Sequence, residues 1–315
     1  MRALGSIALV TASALTSALL VVLSHAAPAP PVSPLVGLYE PVATAAQRRS
    51  FDLEVLFLDW NDPHAVPQLQ DFLARARQQQ RLPLLTLEPF PNRADGRTNR
   101  DLLGDVLSGR HDAAISSIAR TLAAHPGTVL LRFAHEMDKP GQYPWGYADS
   151  SRYLRLYHYV YDKVATERPT NLRWVWSPAG NSRADRYWPG DPYVDLIGLS
   201  IYASRAWTPD RSLEGFAEQL EKKRWLQQRF GRPLLVAEAG VSGSPADQQG
   251  WLREALASLP RFPEVCGLVY FHAPQPRWMP LPTGHEDWQL HSSVLVWLLN
   301  RLPLPSRQGL ACQEA

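Results

Sequence analysis

The sequence predicts an α/β chain built as a single-domain (β/α)8 TIM barrel, and three observations lead there. Eight short apolar runs, rich in branched residues, recur between residues 35 and 305. Amphipathic segments separate most of them, so the chain alternates strand and helix. Polar side chains gather at the C-terminal ends of the runs, while the opposite ends are Leu, Val and Pro. In a barrel the C-terminal ends form the functional face. A doubly wound open sheet is the alternative that the same alternation produces.

In chain order the expected strands are LVGLYE (35–40), EVLFLDW (54–60), LPLLTLEPF (82–90) and TVLLRFAHEM (128–137), then LRWVWSPA (172–179), VDLIGLSIY (194–202), PLLVAEAG (233–240) and CGLVYFHA (266–273). They are nearly continuous in apolar character, as strands buried on both faces of a parallel sheet require. The helices are VPQLQDFLARARQQQ (66–80), AAISSIARTLAAH (113–125) and SRYLRLYHYVYDKVATE (151–167), followed by LEGFAEQLEKKRWLQQRF (213–230), DQQGWLREALASL (247–259) and SVLVWLLNRL (293–302). Their apolar positions recur at three- and four-residue steps, which puts them on one helical face. Residues 91–112 read as a long polar connection over the active face.

Residues 1–26 read as a signal peptide or membrane anchor: a basic start, a long uncharged run, and small residues for cleavage after Ala26. Residues 27–34 are a Pro-rich linker, 35–305 the barrel, and 306–315 a C-terminal tail. The expected location is therefore periplasmic or extracellular, with a membrane tether if the leader is kept. A net charge of +2 gives no strong pull toward nucleic acid. The expected state is a monomer. Two cysteines, Cys266 and Cys312, permit either one disulfide or two isolated thiols.

The expected strand ends carry Asp59, Glu88, His135 with Glu136, Ser177, Ser200 with Tyr202, Glu238 and His272. Glu136 on the fourth run and Glu238 on the seventh would face each other across the mouth. Paired carboxylates can break a glycosidic bond, one protonating the leaving oxygen and the other attacking the anomeric carbon. Strand periodicity puts Arg132 on the side of Glu136, inside the mouth. A buried arginine needs an anionic partner, and Arg132 would hold Glu238 ionised. Glu136 needs the opposite treatment, a carboxyl that keeps its proton, and Met137 and Trp145 would supply the drier setting. HEMDK lacks the second histidine of a zinc-hydrolase helix, and no G-x-S-x-G occurs. The chemistry requires no cofactor or metal.

R-x-x-H-E-M with the following W-G, then YWPGDPYVDLIGLSIY and VAEAG, resembles glycoside hydrolase family 26. The resemblance implies a retaining, endo-acting enzyme on β-linked polysaccharide, β-mannan first. It implies Glu136 as acid/base and Glu238 as nucleophile. Four residues would serve the substrate site: His135 on the sugar at the cleavage point, Tyr202 on the nucleophile, Trp145 stacked on or bordering a sugar, and Arg132 inside the mouth. Trp60, Trp176, Trp207 and Trp278 are further groove candidates, and Glu88 a third, ligand-binding or structural, carboxylate. Asp138 stands where the family usually has Asn, Ser200 where Asp is common, and Trp278 falls late; these positions would shape the sugar subsites. The barrel also gives the cysteines a context, since a bond between Cys266 at the foot of strand eight and Cys312 would pin the tail. Two other readings stay open, trimming of the cell's own exopolysaccharide during export and a non-catalytic polysaccharide-binding barrel.

Overall fold

The computed structural model describes residues 34–41, 51–91, 101–276, 286–302 and Cys312. The expected leader, most of the expected linker, Trp278 and the rest of the expected tail lie outside the described residues. Eight parallel strands close on themselves in sequence order: β1 (Leu35–Tyr39), β2 (Leu53–Asp59), β3 (Leu82–Glu88), β4 (Val129–Phe133), β5 (Leu172–Trp176), β6 (Leu196–Ala203), β7 (Leu234–Val241) and β8 (Val265–Phe271). The seam between first and last strands runs from Leu35 opposite Gly267 to Tyr39 opposite Phe271. This closure rules out the open sheet. No edge strand remains, so every strand finds hydrogen-bond partners on both sides.

The helices are α1 (Ala65–Gln78), α2 (Leu102–Leu107), α3 (Asp112–Ala123), α4 (Ser150–Ala165), α5 (Phe216–Lys223), α6 (Trp225–Phe230), α7 (Pro245–Ser258) and α8 (Ser292–Leu299). Two of them correct the expectations. Leu102, Leu103 and Val106 bury one face of α2 inside the stretch read as a polar connection, because an apolar triplet needs only two turns to reach the core. The helix expected over 213–230 breaks at Arg224 into α5 and α6. The N-terminus of α7 is fixed by a capping box, Ser244 and Asp247 each bonding the other's backbone N–H.

The barrel interior is stratified. At the bottom lies an apolar layer that includes Leu35, Leu82, Leu130, Val175 and Leu235, with Cys266 and Cys312 among them. The two cysteines form a disulfide with Cα atoms 5.2 Å apart, which holds Cys312 at the barrel floor. Above it sits a buried polar layer of Thr86, Arg132, Ser177 and Glu238. The rim is aromatic: Phe271 and Trp288 pack with Tyr39, Phe57 and Tyr202. A second, larger apolar layer fills the space between the strands' outer faces and the helices.

Candidate active site

Glu238 sits in β7, where β6 and β7 slip register between Leu199 and Ser200. The irregularity pairs Ser200 with Glu238 and Tyr202 with Gly240. Bulges of this kind re-aim side chains beside functional sites. Gly240 is required, because a Cβ there would come within 2.7 Å of the Tyr202 ring. With that space open, the Tyr202 hydroxyl donates to Glu238 Oε2 at 2.6 Å. Arg132 Nη1 donates to Oε1, also at 2.6 Å, and Arg132 Nε donates to Ser177 Oγ at 2.9 Å. Both Glu238 oxygens thus act as acceptors, the role of an ionised carboxylate. Burial, followed by the charge of Glu238, pushes the Tyr202 phenol well above its ordinary value and keeps it a donor.

The acid side is built by the turn after β4. The strand stops at Phe133, earlier than expected, and the left-handed φ angles of Ala134 (48°) and Glu136 (52°) end its alternation. Neither residue is glycine, so this backbone is strained, and such strain clusters at functional sites. Its neighbours hold it: Ala134 N–H donates to Leu87 O at 3.1 Å, and Glu136 N–H to Ser177 O at 2.7 Å. Lys139 Nζ and Gln142 Nε2 both donate to Glu136 Oε2 at 2.9 Å. The loop closes through Gly141 N–H on Gly146 O at 3.0 Å. Gly146 has no room for a side chain, since a Cβ would meet Lys139 O at 2.8 Å.

The two carboxylates line one cleft of about 410 Å³, together with His135, Tyr202, Glu88 and Asp59. His135 places Nε2 3.0 Å from the Tyr143 hydroxyl. Burial first, and Arg132 second, hold its imidazole well below the ordinary value, so it is neutral. Glu88 is pushed up to about 8, by burial first and then by Glu238. Below that pH it stands in the cleft as a neutral acid.

Several expectations need correcting. Arg132 is fully buried and does not line the cleft; it reaches the chemistry through Glu238. Trp145 is also sealed away. It stacks behind Tyr143, with centroids 4.6 Å apart, and donates to the His135 carbonyl at 2.7 Å. Tyr143 is the ring of that loop that faces the cleft. Glu136 is buried, as expected, but its carboxyl is not raised. Burial is the strongest single influence and acts upward, but Lys139 leads the opposing groups and the net displacement is downward. Asp138 shapes the scaffold and not a subsite: its carboxylate accepts from the N–H groups of Ala179, Gly180 and Asn181. Ser200 is likewise buried outside the cleft lining.

Among the tryptophan candidates, Trp60 stacks on His111 in the core and Trp176 is fully buried, whereas Trp207 lines the cleft. Trp288, next to Trp207, was not anticipated. It lies between β8 and α8, in a stretch with no periodic signal. Lys139, Gln142 and Tyr143 were also missed as cleft residues, although they stand in the same short stretch as Glu136. His272 serves the scaffold, Nδ1 accepting from Leu290 N–H at 2.8 Å.

This chain is similar to several known proteins. Residues 102–218 match the model of Glycosyl hydrolase family 26. Endoglucanase H of Acetivibrio thermocellus is 24% identical over 204 residues, covering 60% of this chain and 21% of that protein. A β-1,3-xylanase, TXYA, of Vibrio sp is 27% identical over 164 residues, 47% of this chain and 35% of that one. A mannan endo-1,4-β-mannosidase of Bacillus subtilis is 34% identical over 155 residues, 44% of this chain and 39% of that one. The chain thus spans well under two thirds of the length of these relatives. The structure of a GH26 β-mannanase from Bacteroides ovatus superposes with a TM-score of 0.65 at 16% identity, over 87% of this chain and 89% of that one. With the closed barrel, the matched stretch that carries Glu136 makes this chain similar to glycosyl hydrolase family 26 over residues 102–218.

Proposed function

We propose that the protein is an endo-acting glycoside hydrolase that cleaves a β-linked polysaccharide, β-mannan first among the candidates, with retention of anomeric configuration. One observation carries this reading: Glu136 and Glu238 line the same open cleft, with Glu238 held by Arg132 and Tyr202 and Glu136 by Lys139 and Gln142. Glu238, oriented by Arg132 and Tyr202, attacks the anomeric carbon. Glu136 gives its proton to the departing glycosidic oxygen, leaving a glycosyl ester on Glu238. The Glu136 carboxylate then takes a proton from water as the water oxygen bonds to the anomeric carbon and the ester opens. Retention requires the two carboxyl groups about 5–5.5 Å apart. His135, Tyr143 and the rim aromatics supply the hydrogen bonds and apolar faces that a sugar ring needs. Mannan is favoured by the relatives that carry mannan endo-1,4-β-mannosidase as their name. We further propose that the chain works outside the cytoplasm, on the strength of the basic start and long uncharged run of residues 1–26.

Reducing-sugar release across mannan, xylan, mixed-linkage glucan and purified exopolysaccharide identifies the polymer. A fluorosugar adduct trapped on Glu238 supports the covalent route. Unchanged turnover in Glu238→Ala, or release of the inverted anomer, overturns it.

A further inference from the structure

Lys139 stands out among the cleft residues. Its ammonium lies on Glu136 Oε2 while Gln142 occupies the same oxygen, so two donors converge on one atom of the acid/base. The arrangement is built in. On one side Asp138 ties the loop to the turn after β5, where Asn181 Nδ2 also donates to the Asp138 carbonyl. On the other, the Gly141–Gly146 bond and the close approach of Gly146 to Lys139 O fix the backbone. Lys139 is therefore directed back over Glu136, although its side chain is 42% exposed and could otherwise extend into solvent.

We propose that Lys139 is a positioning residue for the acid/base, which reserves Oε2 of Glu136 as an acceptor and supplies the counter-charge once the proton has left. This rests on the glycosidase reading above. In the first half-reaction the Glu136 proton passes to the glycosidic oxygen, whose bond to the anomeric carbon breaks as the Glu238 ester forms. The new carboxylate is stabilised by the adjacent ammonium. In the second half-reaction Glu136 takes a proton from water, the water oxygen bonds the anomeric carbon, and the ester bond to Glu238 breaks. Lys139 thus favours the base form used in the second step and opposes the acid form used in the first.

Other groups face Glu136 as well. Asp138 and Tyr143 come from its own loop, Ser200 and Tyr202 from β6, and Lys223 from α5; Glu238 on β7 shares the cleft. His135, on the same turn, also draws the Glu136 carboxyl down, after Lys139. Burial first pulls Lys223 down to about 8, with Lys139 adding to it, and its ammonium is committed to the Ser200 carbonyl. Lys139 is the cation bonded directly to the acid.

The test compares wild type, Lys139→Gln, which keeps a donor without charge, and Lys139→Arg. The Glu136 carboxyl is followed by 13C NMR through a pH titration of the unliganded enzyme, assigned by the signal lost in Glu136→Gln. An opposite charge within hydrogen-bond reach moves a carboxylate by about 1–3 pH units. Lys139→Gln is expected to raise the midpoint by at least about 1 pH unit, and Lys139→Arg to keep it near wild type. The alkaline limb of kcat/KM, on the polymer found by the reducing-sugar screen, moves up with it. An unchanged midpoint in Lys139→Gln overturns the proposal. The glycosidase reading fails separately, through full turnover in Glu136→Ala.

Discussion

Removing Arg132 tests the polar layer beneath the cleft. Its guanidinium has no solvent exposure and sits 2.6 Å from Glu238, whose side chain is 9% exposed. Replacing arginine with methionine keeps the apolar stem and deletes the charge. Glu238 then loses its counter-charge in a site that water barely reaches, and Ser177 and Thr86 lose a donor. Breaking one side of a buried pair costs about 3–5 kcal/mol, mostly because the surviving charge stays desolvated. Arg132→Met is therefore expected to lose about 3–5 kcal/mol of stability in urea unfolding at neutral pH with the disulfide intact. Glu238→Gln strands the arginine instead. The double variant strands neither, and should fall short of the summed losses by about 2 kcal/mol or more. Additivity within about 0.5 kcal/mol would refute the idea that Arg132 and Glu238 stabilise each other.

Three other outcomes follow from the same geometry. Tyr202→Phe deletes one 2.6 Å bond to Glu238; a hydrogen bond to a charged group contributes about 1.5–3 kcal/mol, so kcat should fall roughly 10- to 100-fold with the fold intact by circular dichroism. Glu88, raised to about 8 by burial and then Glu238, holds a proton in the native state that an unfolded glutamate releases near 4.5. Stability should therefore fall as pH rises from about 4.5 to 8, and Glu88→Gln should flatten that part of the urea-midpoint profile. Replacing Cys266 and Cys312 with serine opens a loop of sequence separation 46 and should cost about 2–4 kcal/mol, read from the shift in urea midpoint against the oxidised protein.

The eight strands were legible from the sequence because a parallel sheet buried on both faces leaves long branched apolar runs, and each lands within a few residues of its expected place. Glu136, Glu238, Arg132 and Tyr202 were legible too, since each sits at or beside a strand end and a barrel turns strand ends toward one mouth. The positions of Trp145 and Tyr143 were not. They are two residues apart in one loop, and only the closure of that loop turns one ring inward and the other to the cleft. The state of Glu136 was hidden for the same reason. Composition placed a methionine and a tryptophan beside it, but the left-handed turn and the Gly141–Gly146 contact bring Lys139 onto its carboxylate. By itself the sequence determined the barrel, the two acids at its mouth and the arginine paired with Glu238, because these follow from periodicity and strand direction. The tertiary structure alone decided which loop side chains meet the acids, because the path of a loop is set by contacts between residues far apart along the chain.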